Sequence, residues 1–540
     1  MPYRRPDRDA GRASRPPPGL AGNPVVYGRV ILVFLVLLGA TLRWLRFDLR
    51  FNQIAFAYAA YYQPVVSALE AGHPAQALTT FVGLHPPLYS FLFAALYFIW
   101  GAPAGYLAMS AAFSTGAIVA TYALGREAFG PRVGLGAAAL MAVSVYQCHY
   151  ALEINNYPLL TLVATLGHWA FLRMLRRPDG PSLGGWIAVM TAGLYTHALV
   201  APLLAIQVTV FLAWHRTRYL ARIAAATAFV GALCVPMVPP VIALLQSGGT
   251  YQNTPVPLAA LWSTVAGVMW HRFGPEVVSL LLVSACLVGG RAGLKNPAER
   301  RATVALLASL AMIPCIALLI LGQVASAEQY PYYLVVLAPT LVLAARGLTP
   351  NDTPRPRSKA RRPAPAWLLV FACLAEMLFG WQEIREAWLV VDRARSRPHA
   401  ITLALHRPVH PRVLWLIAPP LYPDDDKRAV DPVYLELPRW TRCRYHGLEL
   451  GFEYVNYAFG QPVACGDLVL HTFTDIYPSE MHFLLDHYTG RGDLVSIVMY
   501  DVGVSPNYVP RLENVLAPYD VTHAVVGGSH LYTVRSGAGP

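Results

Sequence analysis

Ionisable side chains are rare in the apolar stretches of this chain, and those present define its chemistry. Asp48 stands between Arg46 and Arg50, just past an apolar run. It is either a salt-bridged helix end or a general base, with the arginines tuning its pKa or binding phosphate. Glu153 precedes Asn155, Asn156 and Tyr157. That group either caps a helix or walls a polar pocket. His197, in GLYTHALVAP, is either a structural histidine or a site residue; it falls at the same depth as Glu153 and His85. Glu376 lies inside an apolar run, where it pairs within the bundle or approaches the same cavity.

Other chemistries lack their signatures. His482 and His487 are five apart, a poor helical spacing for two metal ligands, and no metal motif is evident. There is no phosphate-binding loop, dinucleotide fingerprint or nucleophile elbow. A reaction run here must draw its energy from an activated substrate. No cofactor requirement is legible, although a divalent metal is compatible with the residues.

The elements that position these groups are membrane spans. Of 540 residues, 55% are apolar and 13% charged, the net charge is +12 and the mean hydropathy is +0.42. Soluble proteins average about 25% charged residues, so a soluble single domain and a disordered chain are excluded. The basic balance needs no nucleic acid, because it is placed by topology. Residues 1–24 read as a disordered basic tail, 25–382 as a transmembrane domain, and 383–540, where acidic residues exceed basic ones, as a water-soluble domain. An uncleaved first span follows Val25. Uncharged runs then mark spans near 104–124, 133–150, 155–172, 182–197, 198–214, 223–245, 275–290, 302–323, 331–346 and 363–382, about eleven helices in all. The stretch 180–215 has no charged residue and breaks near Tyr195-Thr196-His197.

Segments on the N-terminal side of this topology hold 24 Lys and Arg; the other side of the membrane domain holds Arg43, Arg46, Arg50 and Arg272. The positive-inside rule therefore places the N-terminus in the cytoplasm and the C-terminal domain outside. Residues 85–101 are apolar enough to cross, but one crossing there inverts every later loop. The segment reads as a helix in the outer interface, where Tyr89, Tyr97, Phe98 and Trp100 suit the depth; a second crossing by 51–69 is the alternative. The first external loop, about 46–103, is then long, aromatic and ordered. Residues 383–540 alternate short apolar runs such as VLWLIAPP, DLVLHTF, LVSIVMY and HAVVGGSHLYTV with a helical SEMHFLLDHY, as a small α/β domain does. Cys443 and Cys465 can pair if that domain is exported.

Several stretches together resemble GT-C fold glycosyltransferases of family 39 type, the protein O-mannosyltransferases and lipid A aminoarabinose transferases. His85-Pro86-Pro87-Leu88-Tyr89 is similar to the family's His/Lys-Pro-Pro-Leu-Tyr motif. Gly125-Arg126-Glu127-Ala128-Phe129-Gly130 is similar to its Gly-Arg-x-x-Phe-Gly turn. Glu153 with Tyr157 resembles its Gln-Glu-Ala-Arg-x-Tyr segment, Gly193-Leu194-Tyr195-Thr196-His197 a further recurring turn, and Tyr332–Leu348 its late helix.

The resemblance implies a polyprenyl-phosphate-linked sugar donor, a lipid, glycan or protein acceptor, and an inverting transfer outside the membrane. An acid of the first external loop is the base, and basic groups stabilise the departing phosphate. On this chain the nearest acid, Asp48, stands in as the base with a shifted register, and Arg50, His85, Glu153, Tyr157, His197, Arg272 and Tyr332 are the candidates to line the substrate site. The implied location is a bacterial inner membrane with the C-terminal domain periplasmic; membrane lipids are partners and nucleic acid is not. The chain also departs from the pattern. Phe51-Asn52-Gln53-Ile54-Ala55-Phe56 has no carboxylate where the family shows one, and Tyr332-Tyr333 stands where it has Arg-Tyr. A rebuilt site and a non-catalytic lipid-sugar binder or scaffold both fit those departures. A transporter fits less well, since no inverted repeat of broken helices is evident.

Overall fold

In a computed structural model the chain is described over residues 24–44, 63–79, 86–100, 103–151, 155–215, 218–246, 276–321, 330–349, 367–394, 413–417, 463–465, 468–473, 478–500, 508–526 and 529–535. The helical part opens with α1 (Pro24–Trp44), the short α2 (Gln63–Glu70) and α3 (Pro74–Thr79), and α4 (Leu88–Trp100). The bundle continues with α5 (Pro103–Phe129), α6 (Pro131–Val143), α7 (Val145–Tyr150), α8 (Tyr157–Arg176), α9 (Gly180–Leu194), α10 (Val200–His215) and α11 (Leu220–Leu233). It closes with α12 (Val238–Gln246), α13 (Glu276–Lys295), α14 (Arg300–Ser309), α15 (Met312–Leu321), α16 (Leu334–Leu348) and α17 (Trp367–Ala394).

Among the described residues six helices are long and apolar enough to cross a membrane, or seven if the bent pair Leu220–Leu233 and Val235–Ile242 is one span. Three shorter apolar helices, Pro131–Val143, Val200–His215 and Trp367–Trp381, accompany them. The protein is an integral membrane protein. The eleven runs read from hydropathy correspond to helices, but several are interrupted. The run 133–150 breaks at Ser144, and 223–245 bends by 47° at Cys234. Residues 85–101 form α4, whose 13 residues rise about 20 Å, short of a hydrocarbon core of about 30 Å. Its Tyr89 and Phe93 are buried, and the Tyr89 hydroxyl meets Ser110 Oγ at 2.5 Å.

Small residues let these helices approach closely, since lipid supplies no hydrophobic drive between them. A Cβ on Gly289 of α13 would collide with the Leu343 carbonyl of α16, and one on Gly347 with the Ala285 carbonyl. At the α5–α6 turn a Cβ on Gly134 would lie 2.8 Å from the Tyr122 carbonyl oxygen. Gly130, with φ +98°, supplies the left-handed residue that lets Pro131 start α6. The uncharged stretch 180–215 is two helices, as its length implies. Buried Trp186 of α9 donates to Gln207 Oε1 of α10 at 2.7 Å and holds the pair together.

The C-terminal part is a six-stranded mixed sheet in the order β2-β3-β1-β4-β6-β5. Its strands are β1 (Val413–Ile417), β2 (Val463–Cys465), β3 (Leu468–Phe473), β4 (Val495–Tyr500), β5 (Asp520–Val526) and β6 (Ser529–Arg535). β1 runs parallel to β3 and β4; the other three pairings are antiparallel. Helices α18 (Pro478–Thr489) and α19 (Tyr508–Leu516) share a core with one face. Alternate residues Val413 and Trp415, then Val495, Ile497 and Met499, then Tyr532 and Val534, are buried with Met481, Leu485, Leu512 and Val515. Each fully buried large apolar side chain there contributes about 1.5–3 kcal/mol relative to exposure. Cys443 lies outside the described residues, so its pairing with Cys465 is outside them too.

Candidate functional site

Three chain connections meet at one end of the bundle. The first is the start of α8. Pro158 behind Tyr157 suits the first turn of a helix, and Asn156 occupies the N-cap position. The Asn156 side chain does not cap. Its Nδ2 donates 2.6 Å to the Thr196 carbonyl instead, crossing to the second connection, the turn between α9 and α10. There the Thr196 and His197 amides both donate to the Gly193 carbonyl at 2.9 Å. The Leu199 amide donates to His197 Nδ1 at 3.1 Å. A neutral His197 ring with Nδ1 accepting carries its proton on Nε2, so Nε2 is a donor. The third connection is the 3-10 turn Tyr330–Tyr333 that leads into α16.

The rings from these connections pack together. His197 and Tyr332 meet edge-on, with centroids 5.1 Å apart at 75°. Tyr157 lies 6.3 Å from His197 and 6.5 Å from Tyr332. Tyr150 of α7 lies 6.0 Å from Tyr157 and extends the group to Tyr146. All are buried, as is Tyr333. The start of α4 is tied in as well, because the Leu88 amide donates to the Tyr195 carbonyl at 2.9 Å. Three of the residues assigned to the site from sequence, Tyr157, His197 and Tyr332, are therefore neighbours. Asp48, Arg50, His85, Glu153 and Arg272 lie outside the described residues.

The same end of the bundle contains a charged feature that sequence reading missed. Arg43, counted above only as a charge of the far side, lies within α1 and is fully buried. Its Nε donates to Ser114 Oγ at 2.6 Å. Its other nitrogens donate to the carbonyls of Gly39, Ala142 and Met141 at 2.8, 3.0 and 3.2 Å. The last two carbonyls end α6. Across the break, Glu376 Oε2 of α17 accepts the Val145 amide that starts α7, at 2.9 Å. A guanidinium thus sits on the open carbonyls of one helix and a carboxyl oxygen on the open amide of the next. Ser144, between them, accepts from the Gln147 amide at 3.4 Å. The Gln147 Nε2 reaches Ser114 Oγ at 2.8 Å. A single Arg at the end of an apolar run was the available signal, since buried intramembrane charges are costly and usually have a task.

Three buried atoms at this end, Gln147 Oε1, Asn156 Oδ1 and the Tyr333 hydroxyl, have no hydrogen-bond partner among the described residues. Polar atoms so placed are suited to meet a ligand or water. No group of three or more His, Cys, Asp or Glu side chains among the described residues is arranged to hold a metal.

Comparison with known proteins bears on the fold. Residues 84–244 match the family model described as dolichyl-phosphate-mannose-protein mannosyltransferase. That segment contains Tyr157 and His197. ArnT from Cupriavidus metallidurans bound to undecaprenyl phosphate is similar to this chain with a TM-score of 0.52 at 13% identity, covering 96% of this chain and 100% of ArnT. ArnT from the same organism in the apo state gives 0.52 at 14% identity over the same shares. No curated protein matches by sequence. The chain has the GT-C fold of membrane glycosyltransferases.

Proposed function

From a membrane chain with the GT-C fold, we propose an enzyme that moves a sugar from a polyprenyl-phosphate-linked donor to a lipid, glycan or protein acceptor. The observation that carries this reading is the convergence of Tyr157, His197 and Tyr332 at one end of the bundle, beside a break capped by Arg43 and Glu376. The match to a mannosyltransferase family model and the undecaprenyl phosphate bound by ArnT support the donor class. The charge bias supports an external site, with the N-terminus cytoplasmic and the C-terminal sheet periplasmic, in a bacterial inner membrane.

In this reading the donor enters sideways from the bilayer with its phosphate at the rim. Asp48 removes the acceptor proton as the hydroxyl attacks the anomeric carbon, the configuration inverts, and lipid phosphate leaves. Arg50, Arg272, His85 and the Nε2–H of His197 are the donors that take up its developing charge. The aromatic rings of Tyr157 and Tyr332 orient His197 and exclude water. The experiment is sugar transfer by the purified full chain in lipid vesicles containing undecaprenyl-phosphate-linked sugars. Asp48→Asn lowers kcat by about 100-fold or more with the melting temperature unchanged; unchanged turnover removes Asp48 from the mechanism.

The absent carboxylate over 51–56 favours a second reading, a non-catalytic binder of the same lipid. Saturable binding of the donor without transfer to any lipid, glycan or protein acceptor supports it. Uptake of substrate into sealed vesicles points instead to transport.

A further inference from the structure

Strands β5 and β6 bring together a group of side chains remote in sequence from the membrane site. The antiparallel register sets His523 opposite Tyr532 and Val525 opposite His530, so the two histidines are diagonal neighbours. His523, Tyr532 and His530 lie on the same face by the alternation of each strand. The His523 ring lies almost flat on Tyr532, with centroids 4.3 Å apart at 6°. The His530 ring lies 5.1 Å from His523 at 12°, and His523 Nε2 is 3.0 Å from His530 Nδ1. The Tyr532 hydroxyl is 3.5 Å from His530 Nδ1 and 3.5 Å from Glu513 Oε1 of α19.

We propose that His523 and His530 form a two-imidazole site for a divalent transition-metal cation of the Zn2+, Ni2+ and Cu2+ class. Two facing ring nitrogens at this separation hold one proton between them when no metal is present. A metal bound about 2.0–2.1 Å from each nitrogen replaces that proton once the two rings turn to aim their lone pairs at it, with an angle at the metal near square at 3.0 Å and nearer tetrahedral if the nitrogens part by a few tenths of an ångström. Imidazole ligands select this class over Mg2+ and Ca2+, which take oxygen cages. The site is prepared before metal arrives. Stacking on buried Tyr532 fixes the His523 ring, and the strand register fixes the distance. Water completes the coordination, since His523 is exposed on β5, the edge strand. The Tyr532 hydroxyl lies beside the same His530 Nδ1, at 3.5 Å, and is 3.5 Å from Glu513 Oε1. A bound ion ties the edge strand to its neighbour.

The test is isothermal titration of Zn2+ into the untagged, metal-stripped full chain in detergent, with Cu2+ electron paramagnetic resonance as the second measurement. One equivalent of Zn2+ binds at micromolar concentration, Mg2+ does not compete, and the melting temperature rises with Zn2+. His530→Gln and His523→Gln each weaken binding beyond the roughly 10–100-fold that loss of an outer-shell partner costs, and Tyr532→Phe stays within that range. The Cu2+ spectrum shows two coupled nitrogens in the unaltered chain and one in either variant. A double His482→Gln, His487→Gln variant keeps the equivalent. His523 is exposed, so its variant keeps the fold even if His530→Gln does not. Unchanged Zn2+ affinity and stoichiometry in His523→Gln overturns the proposal, as does a single-nitrogen Cu2+ spectrum in the unaltered chain.

Discussion

The two ends of the helical bundle use polar groups in opposite ways. Helices α8 and α16 each run from one end to the other. Their starts carry Asn156, Tyr157, Tyr332 and Tyr333, and their last turns carry Arg176 and Arg346. At the arginine end the two helix-terminal arginines are both paired. Arg346 makes two bonds to Glu299, at 2.8 and 3.1 Å, and lies 5.9 Å from the Phe129 ring. Arg176 pairs with Glu127 at 2.8 Å. No buried side-chain nitrogen or oxygen of those four charged residues lacks a partner. At the tyrosine end Asn156, Tyr333 and Gln147 each keep a buried atom without one among the described residues. A closed network holds helices in register; an open one has capacity for something else. The Gly-Arg-x-x-Phe-Gly turn, read from sequence as a family motif, thereby acquires a structural task, because Glu127 and Phe129 are the partners of Arg176 and Arg346.

The contrast is sharpest where charge is buried deepest. Removing Arg43 strands the Ala142 and Met141 carbonyls and leaves Glu376 without the cation on the other side of the break. Arg43→Met is expected to cost roughly 3–5 kcal/mol, the scale for breaking a buried charge network, read by denaturant unfolding of the full chain in detergent. A loss under about 1 kcal/mol, on the scale of an exposed pair, means that packing alone holds the break at Ser144. Glu376→Gln keeps an oxygen for the Val145 amide and is expected to cost less.

Next in size is the arginine end. Arg346→Met is expected to cost about 1.5–3 kcal/mol, as charged hydrogen bonds do, less than Arg43→Met because Glu299 remains partly solvated. Its donor affinity and its turnover per folded chain should equal those of the unaltered protein. A shift in KM for the lipid-linked sugar abolishes the distinction between the two ends.

Much of this arrangement was legible in the residues. The uncharged stretch 180–215 breaks where a polar Tyr-Thr-His interrupts it, and Tyr157 and His197 were singled out because polar groups at a membrane edge need partners. Tyr332 entered through family resemblance, since nothing in Tyr330-Pro331-Tyr332-Tyr333 sets one tyrosine apart from its neighbours. In the C-terminal part, short apolar runs bounded by turn residues became β1, β3 and β4, and HAVVGGSHLYTV became the β5–β6 pair. The break at Ser144 was not legible. Residues 133–150 carry no Asp, Glu, Lys or Arg to mark a boundary, and what caps the break comes from Arg43 and Glu376, some hundred and two hundred residues away in sequence. Tertiary hydrogen bonds of that kind leave no local pattern. The expected number of spans also exceeded the long helices described, because hydropathy registers an apolar run whether or not the helix within it is bent.

The smallest expected effect on stability is the most discriminating. Tyr333 is buried at the start of α16, and its hydroxyl has no hydrogen-bond partner among the described residues. Removing a buried oxygen that bonds nothing relieves a desolvation penalty, so Tyr333→Phe should leave unfolding within about 0.5 kcal/mol of the unaltered chain or raise it slightly. If the tyrosine end is open because it receives a substrate, the same variant should weaken binding of an undecaprenyl-phosphate-linked sugar by several-fold, since a hydroxyl that meets a ligand only in the complex contributes to binding and not to folding. The measurement is donor affinity beside the denaturation midpoint, on the same preparation. A fall in stability with unchanged affinity means the hydroxyl bonds within the fold, and the tyrosine end is then as closed as the arginine end.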